Sequence, residues 1–168
     1  MSTAAPSRPR PVEDDISIAI VASLFNDTYV QGLLDSGRDE LAELAPNAAI
    51  TVYRVPGAFE IPVCAELALK GSEPDAVIAF GVIIRGATDH GDLIAASVTD
   101  ALQTMSVRHC TPVVNQVLLV ENEEQAEERC FGASINRGTE AARVAVNMIS
   151  LFKKMRASFS GEPELEVA

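Results

Sequence analysis

The chain contains no tryptophan and only two histidines, so any imidazole chemistry rests on His90 or His109. Cysteine is also scarce. Cys64, Cys110 and Cys130 are odd in number and widely spaced, which fits neither a disulfide framework nor a zinc knuckle and points to a reducing cytoplasm. Each reads as a small buried hydrophobe. Positive charge is in deficit: 13 Lys and Arg against 24 Asp and Glu leave a net charge of −11. That balance opposes nucleic-acid binding, because duplex phosphates would be repelled. An anionic ligand would have to be drawn by local arginines against the global field. No apolar run is long enough for a membrane span, since Ile16 to Leu24 is far too short. Pro6, Pro9 and Pro11 sit among mixed charges with no signal-peptide core between them. The Gly-x-Gly-x-x-Gly and Walker A patterns are missing, which argues against dinucleotides and nucleoside triphosphates. No His/Cys/carboxylate cluster has ligand spacing, so no metal is expected.

What is present is an alternation. With 48% hydrophobic residues over 168, the chain reads as one soluble domain able to bury a core. Residues 1–15 are expected to form a flexible arm, 16–156 an α/β domain, and 157–168 an acidic flexible tail. Apolar, β-rich runs at Ile16 to Ser23, Ala49 to Val55, Ala76 to Ile83 and Pro112 to Val120 predict strands. Between and after them, helical spacing covers Asp27 to Leu44, Glu60 to Leu69, Asp92 to Val107, a segment capped by Asn122 through Arg129, and Asn136 to Met155. Gln125 is placed as a capping-box partner of Asn122. Near-continuous apolar strands alternating with helices predict a four-stranded parallel sheet covered on both faces, a three-layer sandwich.

In such sheets the ligand crevice lies beyond the carboxyl ends of the strands. The loops there are Leu24-Phe25-Asn26, Pro56-Gly57-Ala58-Phe59, Arg85 to His90, and Glu121-Asn122. Lys70, Lys153 and Lys154 lie outside them, so a lysine Schiff base is not indicated. The third loop is the most informative. Gly86-Ala87-Thr88 between a strand and a helix is a natural anion cradle, because free N–H groups and the helix dipole favour negative charge. His90 follows in the same turn, and an imidazole can both take and return a proton, which suits it to moving protons. Together they predict chemistry on a phosphorylated small molecule. Arg129 presents a fork that fits phosphate oxygens, and neither Gln125 nor Ala126 one turn before it offers an ion pair.

Val55-Pro56-Gly57-Ala58-Phe59-Glu60-Ile61-Pro62 and Val82-Ile83-Ile84-Arg85-Gly86-Ala87-Thr88-Asp89-His90 closely resemble the two signatures of the 6,7-dimethyl-8-ribityllumazine synthase family. Phe25-Asn26, Glu124 to Arg129 and Asn136-Arg137-Gly138 match as well, in order, across roughly residues 16–155. The resemblance implies a flavodoxin-like sheet and a transferase of riboflavin biosynthesis. That enzyme condenses 5-amino-6-(D-ribitylamino)uracil with 3,4-dihydroxy-2-butanone 4-phosphate and releases phosphate and water without a cofactor. It further implies that Phe25 stacks on the pyrimidine, that Ala58 and Glu60 bind the ribityl chain, and that Asn26, Gly57, Phe59, Val82, Ile83 and Ile84 complete the substrate pocket. Gly86, Ala87, Thr88 and Arg129 would hold the phosphate, His90 would shuttle protons, and Asp92 would orient its ring.

The family assembles from pentamers with sites shared between subunits. Asn115, Arg129 and Arg137 are therefore expected from a neighbouring copy, and riboflavin synthase is an implied partner. Gly91 stands where the family has an aromatic, Asn115-Gln116 where Phe-Gly is common, Arg137 where lysine is usual, and Leu24 in place of a frequent arginine. The reading that competes with an active synthase is a flavin-binding or shell-forming homologue without turnover.

Overall fold

The apolar runs form the expected strands, and the order in which they pair sets where the loops meet. The computed structural model describes residues 6–159. β1 (Ser17–Ser23) leads to α1 (Asp27–Leu44), and β2 (Ala49–Val55) leads through a 3-10 turn at Ala58–Glu60 to α2 (Ile61–Gly71). β3 (Ala76–Ile84) is followed by α3 (His90–His109), and β4 (Val113–Val120) by α4 (Glu123–Phe131) and α5 (Arg137–Phe159). The sheet order is β2-β1-β3-β4, with every pairing parallel. All four carboxyl ends therefore point the same way.

β1 and β3 occupy the centre and are apolar on both faces, as a doubly covered parallel sheet requires. α1, α4 and α5 bury Leu33, Leu41, Ala126, Cys130 and Ala145 on one face against Ile18, Ile20, Ile78 and Phe80. α2 and α3 bury Ile61, Ala65, Val98 and Leu102 on the other against Ala19, Val21, Val77 and Ala79. Phe80 is the largest fully buried side chain. α5 rides directly on α1: a Cβ at Gly138 would collide with the Leu33 carbonyl, so only glycine permits this approach.

Several boundaries depart from the sequence expectation. α3 begins at His90 rather than Asp92, so the histidine opens the helix instead of ending the turn. α5 runs to Phe159, past Met155 and into the stretch expected as tail; residues 160–168 lie outside the described part. Its start is capped by Asn136, whose Oδ1 accepts from Gly138 N and Thr139 N at 3.1 Å each. Asn122 caps α4 by accepting from Gln125 N at 2.9 Å, and Gln125 Oε1 accepts from Glu121 N rather than from Asn122 N. Cys110 is exposed at the left-handed end of α3 (φ 47°), which corrects its reading as a buried hydrophobe. Cys130 is buried, and burial pushes its thiol up to about 12. Residues 6–15 carry no regular element but are tied to the domain. Val12 N donates to Leu44 O at 2.7 Å, Asn47 reaches Glu13 O at 2.8 Å, and Arg8 pairs with Glu40 at 2.9 Å.

Candidate functional site

The carboxyl ends of β1, β2 and β3 open into a cleft of about 810 Å³. Phe25 and Asn26 line it from the first loop, Gly57, Ala58, Phe59 and Glu60 from the second loop and its 3-10 turn, Val82, Ile83 and Ile84 from the end of β3, and Gly86, Thr88 and His90 from the third loop and the helix start after it. Twelve expected residues from three separate strand ends thus share one cavity. The fourth loop, Glu121-Asn122, does not line it.

Each wall has a local cause. β1 stops pairing with β3 at Ala22↔Phe80, so the Val82 carbonyl two residues further on needs another donor. The Asn26 side-chain amide supplies it at 2.7 Å. Asn26 adopts φ 58°, a left-handed conformation that asparagine tolerates better than most residues. This bend leaves Phe25 72% exposed at the cleft. Leu24 N and Phe25 N donate to Val55 O and Pro56 O at 2.7 and 3.1 Å, tying the first loop to the second. Phe59 is 61% exposed on the same side, so two aromatic faces are available to a planar ring. Glu60 is half-buried, and its Oε2 lies 3.0 Å from where a Cβ would stand on Gly57. Glycine leaves that carboxylate room to face the cleft.

The third loop is built differently. Arg85 N donates to Val120 O at 2.9 Å, the last rung of the β3·β4 ladder. The next residues, Gly86, Ala87 and Thr88, are exposed, and their N–H groups reach no described backbone carbonyl. They precede α3, whose N-terminus adds partial positive charge. Because α3 starts at His90, Leu93, Ile94 and Ser97 follow at i+3, i+4 and i+7 and line the cleft with it. The sequence reading missed these three. Their periodic signal was present, but it was counted from a helix start placed at Asp92.

Other expected positions lie elsewhere. Ala87 belongs to the loop without lining the cleft. Asp92 does not orient His90. It receives the Arg85 guanidinium, Nε to Oδ2 at 3.2 Å and Nη2 to Oδ1 at 2.5 Å, and Arg85 Nη1 also pairs with Glu121. Hydrogen bonding from Arg85 holds the Asp92 carboxyl below the usual carboxylate range. Asn115 sits in β4, donating to Thr99 Oγ1 at 3.1 Å and accepting from Val117 N at 2.9 Å. Arg129, on α4, is on the far face of the sheet. Its Nη1 donates to Gln125 O at 3.0 Å and to Glu128 Oε2 at 3.2 Å, while its buried Nε has no acceptor among the described residues. Arg137 pairs with Glu140 one turn along α5. His109 is structural, bonded to Glu66 at 3.0 Å.

A parallel α/β sheet whose strand ends gather aromatic faces, free loop amides and a lone histidine defines an enzyme-type site for a planar ring and an anion. The family model of 6,7-dimethyl-8-ribityllumazine synthase matches residues 15–153. Proteins of that name from Chlorobium limicola and Halorhodospira halophila are 43% and 38% identical to the chain. Those alignments cover 83% and 85% of this chain, and 91% and 92% of the relatives. The chain belongs to the 6,7-dimethyl-8-ribityllumazine synthase family.

Proposed function

We propose that the chain condenses 5-amino-6-(D-ribitylamino)uracil with 3,4-dihydroxy-2-butanone 4-phosphate to 6,7-dimethyl-8-ribityllumazine, releasing phosphate and water. One observation carries this reading: a single cleft holds the exposed ring of Phe25, the Glu60 carboxylate, unpaired amides at Gly86 and Thr88, and His90. Phe25 and Phe59 stack on the pyrimidine, and Glu60 accepts hydrogen bonds from ribityl hydroxyls. The loop amides and the Thr88 hydroxyl receive the phosphate. The substrate's own 5-amino group attacks the ketone and a first water leaves as the imine forms; elimination then expels phosphate, and the ribitylamino nitrogen closes the ring on the remaining carbonyl with loss of a second water. His90 accepts and returns the protons these steps move.

Charge accounting supports a site shared between subunits. Glu60 and His90 are the titratable side chains lining the cleft, and neither lysine nor arginine is among its lining residues. Arg85 is committed to two carboxylates. On this reading the phosphate is met by a guanidinium from a neighbouring subunit, and Arg129, whose Nε has no acceptor among the described residues, supplies it. Asn115 and Arg137 approach from the same neighbour. The assembly is built from pentamers, works in the cytoplasm and passes its product to riboflavin synthase.

The test is direct. Purified protein mixed with both substrates should produce lumazine fluorescence well above the uncatalysed background. A rate equal to that background rejects the proposal.

A further inference from the structure

The anion loop poses a problem of order. Gly86 has nothing within 4 Å of where a Cβ would stand, and residues 86–89 are exposed. A segment so free would lose considerable conformational entropy on closing around a ligand. The loop nonetheless begins and ends at one side chain. Arg85 leaves β3 at the loop's start, and its fork grips Asp92 in the first turn of α3, just past the loop's end. The remaining amine reaches Glu121, after β4. One guanidinium therefore joins a strand end, a helix start and the neighbouring strand's exit.

We propose that Arg85 is a positioning residue that fixes the span of the Gly86–Asp89 loop, so that its amides are aimed before the phosphate arrives. This inference rests on the proposed reaction for its substrate. Arg85 is not itself the phosphate ligand. Both of its edges are occupied by carboxylates, and none of Arg85, Asp92 and Glu121 lines the cleft. The loop amides stay unpaired because the clamp uses side chains and leaves the backbone donors alone.

The experiment measures KM for each substrate, together with hydrogen exchange at residues 86–90, in the assembled protein. Arg85→Ala should raise KM for the butanone phosphate by roughly tenfold, the scale on which losing an outer supporting partner acts. KM for the pyrimidine should hardly move. Asp92→Asn should do the same, and the double variant should be no worse than the worse single one. Arg85→Lys should recover part of the loss. Exchange at 86–90 should quicken in Arg85→Ala while exchange in β1 and β3 stays unchanged.

Additive losses, equal losses on both substrates, or unaltered exchange would overturn the clamp. An Asp92→Asn variant that binds the phosphate more tightly would also overturn it, because it would show a released Arg85 acting as the ligand. If the wild type makes no lumazine, the proposed reaction fails, and the exchange result still decides the clamp on its own.

Discussion

The cleft wall formed by the β1 and β2 loops and the wall formed by the β3 loop are held by different forces. On the first, Asn26 donates to a strand carbonyl, Leu24 and Phe25 donate to the backbone of the next loop, and Arg54 reaches Ser23 O at 3.2 Å. These bonds are directional, mostly neutral and anchored to the sheet. On the second, beyond the Arg85 N–Val120 O rung, the loop is held by exposed ion pairs among Arg85, Asp92 and Glu121. Both walls are thus set in advance, the first by bonds to the sheet and the second by a charge clamp that salt and acid can loosen. That division suits a site in which a planar heterocycle needs a fixed platform and an ion must be admitted.

The largest effect expected on either wall is chemical. His90→Ala should lower kcat by about 10²- to 10⁴-fold, the range for a lost general acid–base, while the thermal midpoint stays put because His90 is exposed. Activity retained within the error of the assay would remove His90 from the mechanism.

Stability should separate the walls next. Asn26→Ala strips the donor from the Val82 carbonyl and places alanine at a left-handed φ, so the domain should lose roughly 1–3 kcal/mol in denaturant unfolding. Arg85→Ala should leave the unfolding midpoint nearly in place, since exposed ion pairs contribute little. Equal destabilisation by the two changes would erase the distinction.

Smaller effects come from solvent conditions. In 1 M salt, exchange at residues 86–90 should quicken while that at 24–26 holds, because screening acts on the ion pairs and spares the amide-to-carbonyl bonds. Acid should act in the same direction. Asp92 titrates below the usual carboxylate range because it is ionised when paired, so its contribution is complete above that range and fades as pH falls through its lowered value. The 86–90 loop should therefore loosen at acid pH before the Phe25 loop does. Simultaneous loosening would show that the two walls share one restraint.

Much of this architecture was readable from residue order. The helix Asp27–Leu44 and the strand Ala49–Val55 agree with the sequence reading at both ends, because each is strongly periodic and bounded by turn residues. The three loops of the cleft were readable for a similar reason: in a parallel sheet, every strand's carboxyl end faces the same edge. The α3 start was not. Asp92 resembles a first-turn acid, yet the backbone is helical from His90, and that two-residue shift concealed Leu93, Ile94 and Ser97. It also explains why Asp92 does not serve His90. Residues i and i+2 of a helix do not face each other, and an arginine was in reach on the other side. The third member of that cluster, Glu121, lies 36 positions from Arg85 and leaves no local trace. Arg129 misled in a milder way. Its intrahelical partners are the Gln125 backbone carbonyl and the adjacent Glu128 carboxylate, neither of which the i−3 and i−4 side-chain pairing rule anticipates.

Co-assembly of two inactive variants most directly tests the claim that this cleft catalyses the condensation with a neighbour's arginine. Arg129→Ala and His90→Ala homo-oligomers should each be nearly inactive, the first with its loss concentrated on the phosphorylated substrate. Mixed assemblies from co-expression should contain some clefts with both an intact His90 and an intact neighbouring Arg129, and should recover a clear fraction of wild-type lumazine formation. Mixed assemblies no more active than either parent would contradict the account.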